Sequence, residues 1–326
     1  MKKMVSMALT GTMAVAVLAG AGTSEVKAAD KAKIGVLVAD VSGEEAQGFR
    51  SYYENYIAGN YDVEFNYTDA LQSAEDEKTA IEKFASQGCQ AIISFSSNDR
   101  VQQIETCEKY GVYYAVASGV LDDAQYETYK TYEYFAGQVG PGNDTEFEAG
   151  KDMGAYYKEQ GVSKVAIYGA FIPNPMHVYR VAGVLNGLGC TYGGESDMNA
   201  IAGQIFQDQT VDLSKVEGDV EVVSYLQGYG DTTTDELNAA IQKTPDAFIS
   251  VGMATTFFAQ SLSEAGISFS DIDSFTETNG NSMKNGTLTY LAGKYSSSIG
   301  PVFALVMNAI NGNVIRDEDG NAPSIS

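Results

Sequence analysis

The residues that could do chemistry in this chain are sparse in the kinds that catalysis needs. There is one histidine, His177, so imidazoles alone assemble neither a base with an orienting partner nor a multi-histidine metal site. Cys89, Cys107 and Cys190 show no CxxC spacing, and their places near element junctions read as small buried side chains rather than thiolate ligands or nucleophiles. No GxSxG elbow, GxxxxGK[ST] loop, HExxH pair or strand-following GxGxxG occurs, which removes the commonest hydrolase, nucleotide and dinucleotide signatures. The run from Asp317 to Gly320 is a turn signal, because the remaining spacing of a calcium loop is missing. A paired-carboxylate hydrolase stays open on the count of acidic residues alone, but acids spread this evenly read as a solvated surface. These residues point to a binding protein without metal or cofactor rather than to an enzyme.

The elements that must position such groups alternate. Short apolar runs at Lys33 to Asp40, Asp62 to Asp69, Gln90 to Ser96 and Val112 to Ser118 read as strands, separated by segments of helical periodicity, as in βαβ units building a parallel sheet. Ser73 with Asp76 forms a capping-box pattern ahead of Ile81 and Phe84, and Gly88 ends that helix. Asn98 reads as the cap of the next helix, with Val101, Ile104 and Cys107 inward. A Tyr-rich stretch, Tyr126 to Tyr134, reads as irregular. Thr145 with Glu148 then forms a second box opening a helix to Gln160. Further strands are expected at Ser163 to Ala170, Asp219 to Gly228, Asp246 to Met253 and Gly286 to Tyr295, with a helix opened by Thr233 and Glu236 and a final one from about Ile299 to Asn311.

At 326 residues, roughly two domains are expected. Lys2 and Lys3 precede an apolar stretch from Met4 to Gly22, with small residues near Ala28, so residues 1–28 read as an export signal; a single-pass anchor is the weaker alternative, given the glycines and hydroxyl residues within the stretch. Leu18-Ala19-Gly20 is followed by Ala21, so no lipid-attachment cysteine is present. The formal net charge of −23, with basic residues in no cluster, argues against nucleic acid as a partner.

The order of elements and seven local motifs resemble the type I periplasmic substrate-binding proteins of ABC transporters, in the ribose- and galactose-binding branch. The carriers are KIGVLVAD, the segments Ile81 to Ser94 and Thr106 to Val116, Val139 to Gly150, Ser163 to Gly169, Arg180-x-x-Gly183, and Ile299 to Asn313. The resemblance implies an α/β fold of two doubly wound parallel-sheet lobes joined by about three crossovers, with ligand held between them at the strand C-termini. It places residues 29–141 and 278–311 in one lobe and 142–277 and 312–326 in the other, with crossovers near Val139 to Asn143 and Glu277 to Asn281.

Carried over residue by residue, the resemblance implies ligand contacts from Ser42 after the first strand, from Ser96, Ser97 and Asn98 after the third, and from Ser118 after the fourth. For the Ser96–Asn98 group, capping alone and capping with ligand contact weigh equally. Arg180 matches an arginine that family members aim at ligand hydroxyls or carboxylates, its planar fork being suited to bidentate contact. Phe171 could cover an apolar ligand face, Glu277 matches a later aspartate loosely, and Lys294 stands where a neutral amide is common. Several acceptors typical of sugar binders are absent, so a standard hexose loses weight to an anionic or less hydroxyl-rich ligand. The function implied is capture of a small polar solute, a sugar or sugar derivative, outside the cytoplasm, for an ABC permease that is the only link to the membrane. A sensor presenting ligand to a membrane receptor, and more remotely a secreted α/β hydrolase, are the alternatives.

Overall fold

The computed structural model describes residues 31–38, 41–228, 230, 232–293 and 298–325. The expected leader and Lys294 lie outside them.

The chain opens with β1 (Ala32–Leu37), then α1 (Glu44–Ser51), which runs on as a π-helix (Tyr52–Ile57) into α2 (Ala58–Asn60). There follow β2 (Val63–Tyr67), α3 (Ala74–Ser86), β3 (Ala91–Ser94), α4 (Arg100–Tyr110), β4 (Tyr113–Val116), α5 (Asp123–Tyr129) and β5 (Phe135–Val139). A second series comprises α6 (Asn143–Glu159), β6 (Lys164–Tyr168), α7 (Pro175–Gly187), β7 (Thr191–Tyr192), α8 (Met198–Asp208), β8 (Val216–Glu217), β9 (Glu221–Leu226), α9 (Thr234–Gln242), β10 (Ala247–Ser250), α10 (Ala254–Phe257), α11 (Ala259–Glu264), β11 (Phe269–Ile272), α12 (Glu277–Lys284) and β12 (Leu288–Ala292). Helix α13 (Ile299–Ile310) and β13 (Ser324–Ile325) close the chain.

Two parallel sheets result, ordered β2-β1-β3-β4-β5-β13 and β9-β6-β10-β11-β12. The central strands β3 and β10 are buried along their whole length, as strands covered by helices on both faces must be. On one face of the first sheet α13 contributes Val302, Leu305 and Val306; on the other, α3 and α4 contribute Ile81, Phe84 and Ile104.

This topology corrects the expected lobe boundaries. Strand β12 pairs with β11 in the second sheet, Thr289 donating to the Phe269 carbonyl at 3.0 Å. The chain therefore returns to the first lobe between Gly293 and Ser298, not at Glu277 to Asn281. Residues 312–325 belong to the first lobe. Arg316 donates to the carbonyls of Lys130, Tyr132 and Glu133, Ala322 N donates to Lys130, and Ser324–Ile325 pair beside β5. Among the described residues the chain passes between the sheets twice, against the expectation of about three crossovers.

Local signals fare unevenly. Ser73 accepts from Asp76 N at 3.2 Å, as the pattern implies. The cap of α4 is Asp99, not Asn98, its carboxylate accepting from Gln102 N at 2.9 Å. Helix α6 starts at Asn143 behind Gly142, so Thr145 and Glu148 lie inside it and form no box. The Tyr-rich stretch holds a helix, α5, with a complete capping box between Asp122 and Gln125.

Candidate functional site

In open parallel sheets the C-terminal strand ends carry the ligand-facing loops, and here the two sheets direct those ends toward the crossovers. In the first lobe a fully buried carboxylate, Glu77 on α3, shapes the loop after β3. It accepts from Ser96 Oγ at 2.5 Å and from the amides of Asn98 and Asp99 at 3.0 Å each. Three donors on one carboxylate satisfy it without a cation and fix the loop against α3. Arg100 is likewise spent inside the lobe. Its guanidinium donates to the carbonyl of Val120 at 2.8 Å and to that of Ser118, and burial lowers its pKa.

In the second lobe, α6 and α7 approach closely because glycines face each other. A Cβ on Gly150 would lie 2.1 Å from Arg180 O, one on Gly183 2.0 Å from Phe147 O, and one on Gly187 2.0 Å from Lys151 O. Backbones at that distance bring Glu146 on α6 against Arg180 on α7. Arg180 Nε donates to Glu146 Oε2 at 2.5 Å, and Nη1 donates to the carbonyls of Val251 at 2.8 Å and Ile272 at 3.2 Å. Each side chain is 6% exposed. Nη2 of Arg180 and Oε1 of Glu146 form no hydrogen bond among the described residues.

This pair floors a cavity of about 420 Å³ where both crossovers meet. Thr145 and Ser298 add hydroxyls, and Val139, Pro141, Ala149, Ile272, Pro301 and Ile325 supply apolar walls. Ser298 Oγ donates to Ala117 O. The cavity thus takes its floor from the second lobe and most of its roof from the first, and its volume lies within the range of small-molecule sites.

Behind the floor stand two acids. Asp271 is wholly buried, 2.8 Å from Ser250 Oγ and accepting from Thr255 N at 3.1 Å. Burial, with the charge of Asp273, pushes its pKa up to about 7. Burial also raises Asp273, against donation from Ser274 N and the nearby Arg180. His177 packs against Phe171, ring centroids 5.5 Å apart, with Nδ1 3.3 Å from Phe171 O.

Of the residues singled out from sequence, Arg180 lines the cavity, whereas Ser42, Ser96, Ser97, Asn98, Ser118, Phe171 and Glu277 do not. Ser96 is buried on Glu77; Ser97 and Asn98 are exposed. Glu277 sits in the first turn of α12, where its amide donates to Glu44 Oε1 and Thr278 Oγ1 to Glu44 Oε2, both at 2.8 Å, joining the lobes. Sequence reasoning missed Glu77, Thr145 and Glu146. The spacing of Gly150 with Gly154 and Gly183 with Gly187 was the available signal that two helices approach closely at Glu146.

A scan against protein-family models and a search of curated proteins found no match. Solved structures do match. The periplasmic binding protein component of the arabinose ABC transporter from Shewanella sp. ANA-3, bound to L-arabinofuranose, is 15% identical, with 88% of each chain covered and a TM-score of 0.62. A periplasmic solute-binding protein of an ABC transporter from Actinobacillus succinogenes 130z with bound D-allose is 16% identical, over 87% of this chain and 93% of that one, with a TM-score of 0.64. The transcription regulator CcpA of Lactococcus lactis is 10% identical, over 88% and 94%, with a TM-score of 0.61. Likeness that extends alike to transport proteins and to a regulator identifies architecture, and with the strand orders above it is specific. The chain has the fold of the type I periplasmic binding proteins.

Proposed function

We propose that this chain is the extracytoplasmic solute-binding protein of an ABC transporter, holding a small sugar or sugar derivative between its lobes for delivery to a permease. The observation that carries this reading is the cavity at the crossovers, walled by both lobes and floored by Arg180 and Glu146. A guanidinium N–H pair beside a free carboxylate oxygen offers a donor and an acceptor within one short span, which suits adjacent hydroxyls, each both donor and acceptor. The arabinose and allose proteins named above, which bind sugars for transport, support the reading, as does the export signal expected in residues 1–28. The regulator shares the fold, but its class of function conflicts with that signal and with the absence of a basic cluster. Closure over the solute would create the surface that a permease recognises.

A thermal-shift screen of the full chain against neutral sugars, sugar acids, nucleosides and amino acids tests this. A sugar at about 100 times its dissociation constant stabilises by roughly 2.7 kcal/mol, with compaction in small-angle scattering. A response confined to nucleosides or amino acids, or none at all, refutes it.

A further inference from the structure

Resting on the reading of this cavity as a sugar site, the geometry points to a deoxysugar as the solute: uncharged, with two or three adjacent hydroxyls on one edge and a methyl or methylene on the other. The sequence leaves an anionic and a less hydroxyl-rich ligand both open, and the structure separates them.

Charge is decided at the floor. Arg180 is matched by Glu146 at 2.5 Å, so the buried pair has no net charge to offer. A solute carboxylate reaching Nη2 would be brought beside the carboxylate of Glu146 in a site shielded from water, where like charges repel strongly. Arg100, the other buried guanidinium near the strand ends, is spent on the carbonyls of Ser118 and Val120.

Hydroxyl number is decided by the walls. Polar side-chain groups in the lining are Arg180, Glu146, Thr145 and Ser298, and the last already donates to Ala117. Val139, Pro141, Ala149, Ile272, Pro301 and Ile325 face them and have no side-chain polar atom; no aromatic ring lines the cavity. The first-lobe groups that could have read further hydroxyls are turned inward, Ser96 onto Glu77 and Gln138 onto Leu121 N and Ser324. A hydroxyl pressed against the aliphatic wall would lose its water and gain no partner, whereas a methyl there gains burial. An enclosed hydroxyl without a partner typically costs a binding constant tenfold or more.

Titration calorimetry on the full chain compares L-fucose with L-galactose and L-rhamnose with L-mannose, with D-ribose and D-galacturonate alongside. The expected result is that a deoxysugar binds tightest, at least tenfold above its hydroxylated parent, and that Ala149→Ser narrows that ratio by placing a hydroxyl in the wall. Any parent hexose, D-ribose or D-galacturonate binding as tightly as the best deoxysugar overturns the inference while leaving the sugar-binding reading in place. An unchanged ratio in Ala149→Ser removes the wall as its source and also overturns it. Absence of binding by every sugar overturns both.

Discussion

Replacing Arg180 by methionine tests whether the cavity floor is also a structural element. The substitution keeps length and apolar volume but strands the Glu146 carboxylate and leaves the carbonyls of Val251 and Ile272 without their donor. With both partners 6% exposed, solvent does little to relieve a broken pair, and removal of one member of a buried ion pair costs about 3–5 kcal/mol. For a chain this size each kcal/mol lowers the melting temperature by roughly 2–4 °C, so a fall of about 6–20 °C is expected. Urea unfolding of the full chain, followed by circular dichroism, measures the loss. The companion variants are Glu146→Leu and the double substitution. Removing both charges leaves no stranded ion, so the double variant should recover at least about 2 kcal/mol relative to the sum of the single losses. A single loss under about 1 kcal/mol, or a double variant whose cost equals the sum, would refute the pairing argument and leave Arg180 as a surface contact.

Gly183→Ala should destabilise by about 1–3 kcal/mol or more, because its Cβ would lie 2.0 Å from Phe147 O and push α6 from α7; unchanged urea unfolding would contradict the close approach. Asp271 predicts a pH dependence. Its folded pKa is raised to about 7 by burial and by Asp273, so folding favours the protonated acid, and its stabilising contribution is present at low pH and lost as pH rises through about 7. Asp271→Asn should flatten the decline in melting temperature between about pH 5 and 8, and an unaltered slope would assign the decline to other groups.

Much of the architecture was legible because buried parallel strands write themselves as continuous apolar runs. KIGVLV, AIIS and AFIS all fall on strands. Lobe membership was not legible, since it depends on which non-local edge a strand joins. Leu288–Ala292 has the composition of either sheet, and Ser324–Ile325 is too short for any periodicity to register. Capping failed by small offsets. Asp99 competes with Asn98 for one position, and Thr145 mimics a cap inside a helix that Gly142 already starts. At the site, Arg180 stood out because guanidinium chemistry is conspicuous, but its partner lies 34 positions upstream, one acid among many, with no local pattern to mark it. The same applies to Glu77, whose contacts with Ser96, Asn98 and Asp99 span 19 to 22 positions.

The glycine-spaced contact between α6 and α7 has a kinetic meaning. Because Gly150, Gly183 and Gly187 lock the two helices backbone to backbone, Glu146 and Arg180 keep their mutual geometry whatever the first lobe does. The polar half of the cavity is therefore ready before the lobes meet, while Val139, Pro301 and Ile325 arrive only with the first lobe. A solute held there would encounter the second lobe first. Association would depend on Arg180, Glu146 and Thr145, and residence time on the apolar roof, so substitutions on opposite sides of one cavity would separate into effects on capture and effects on release.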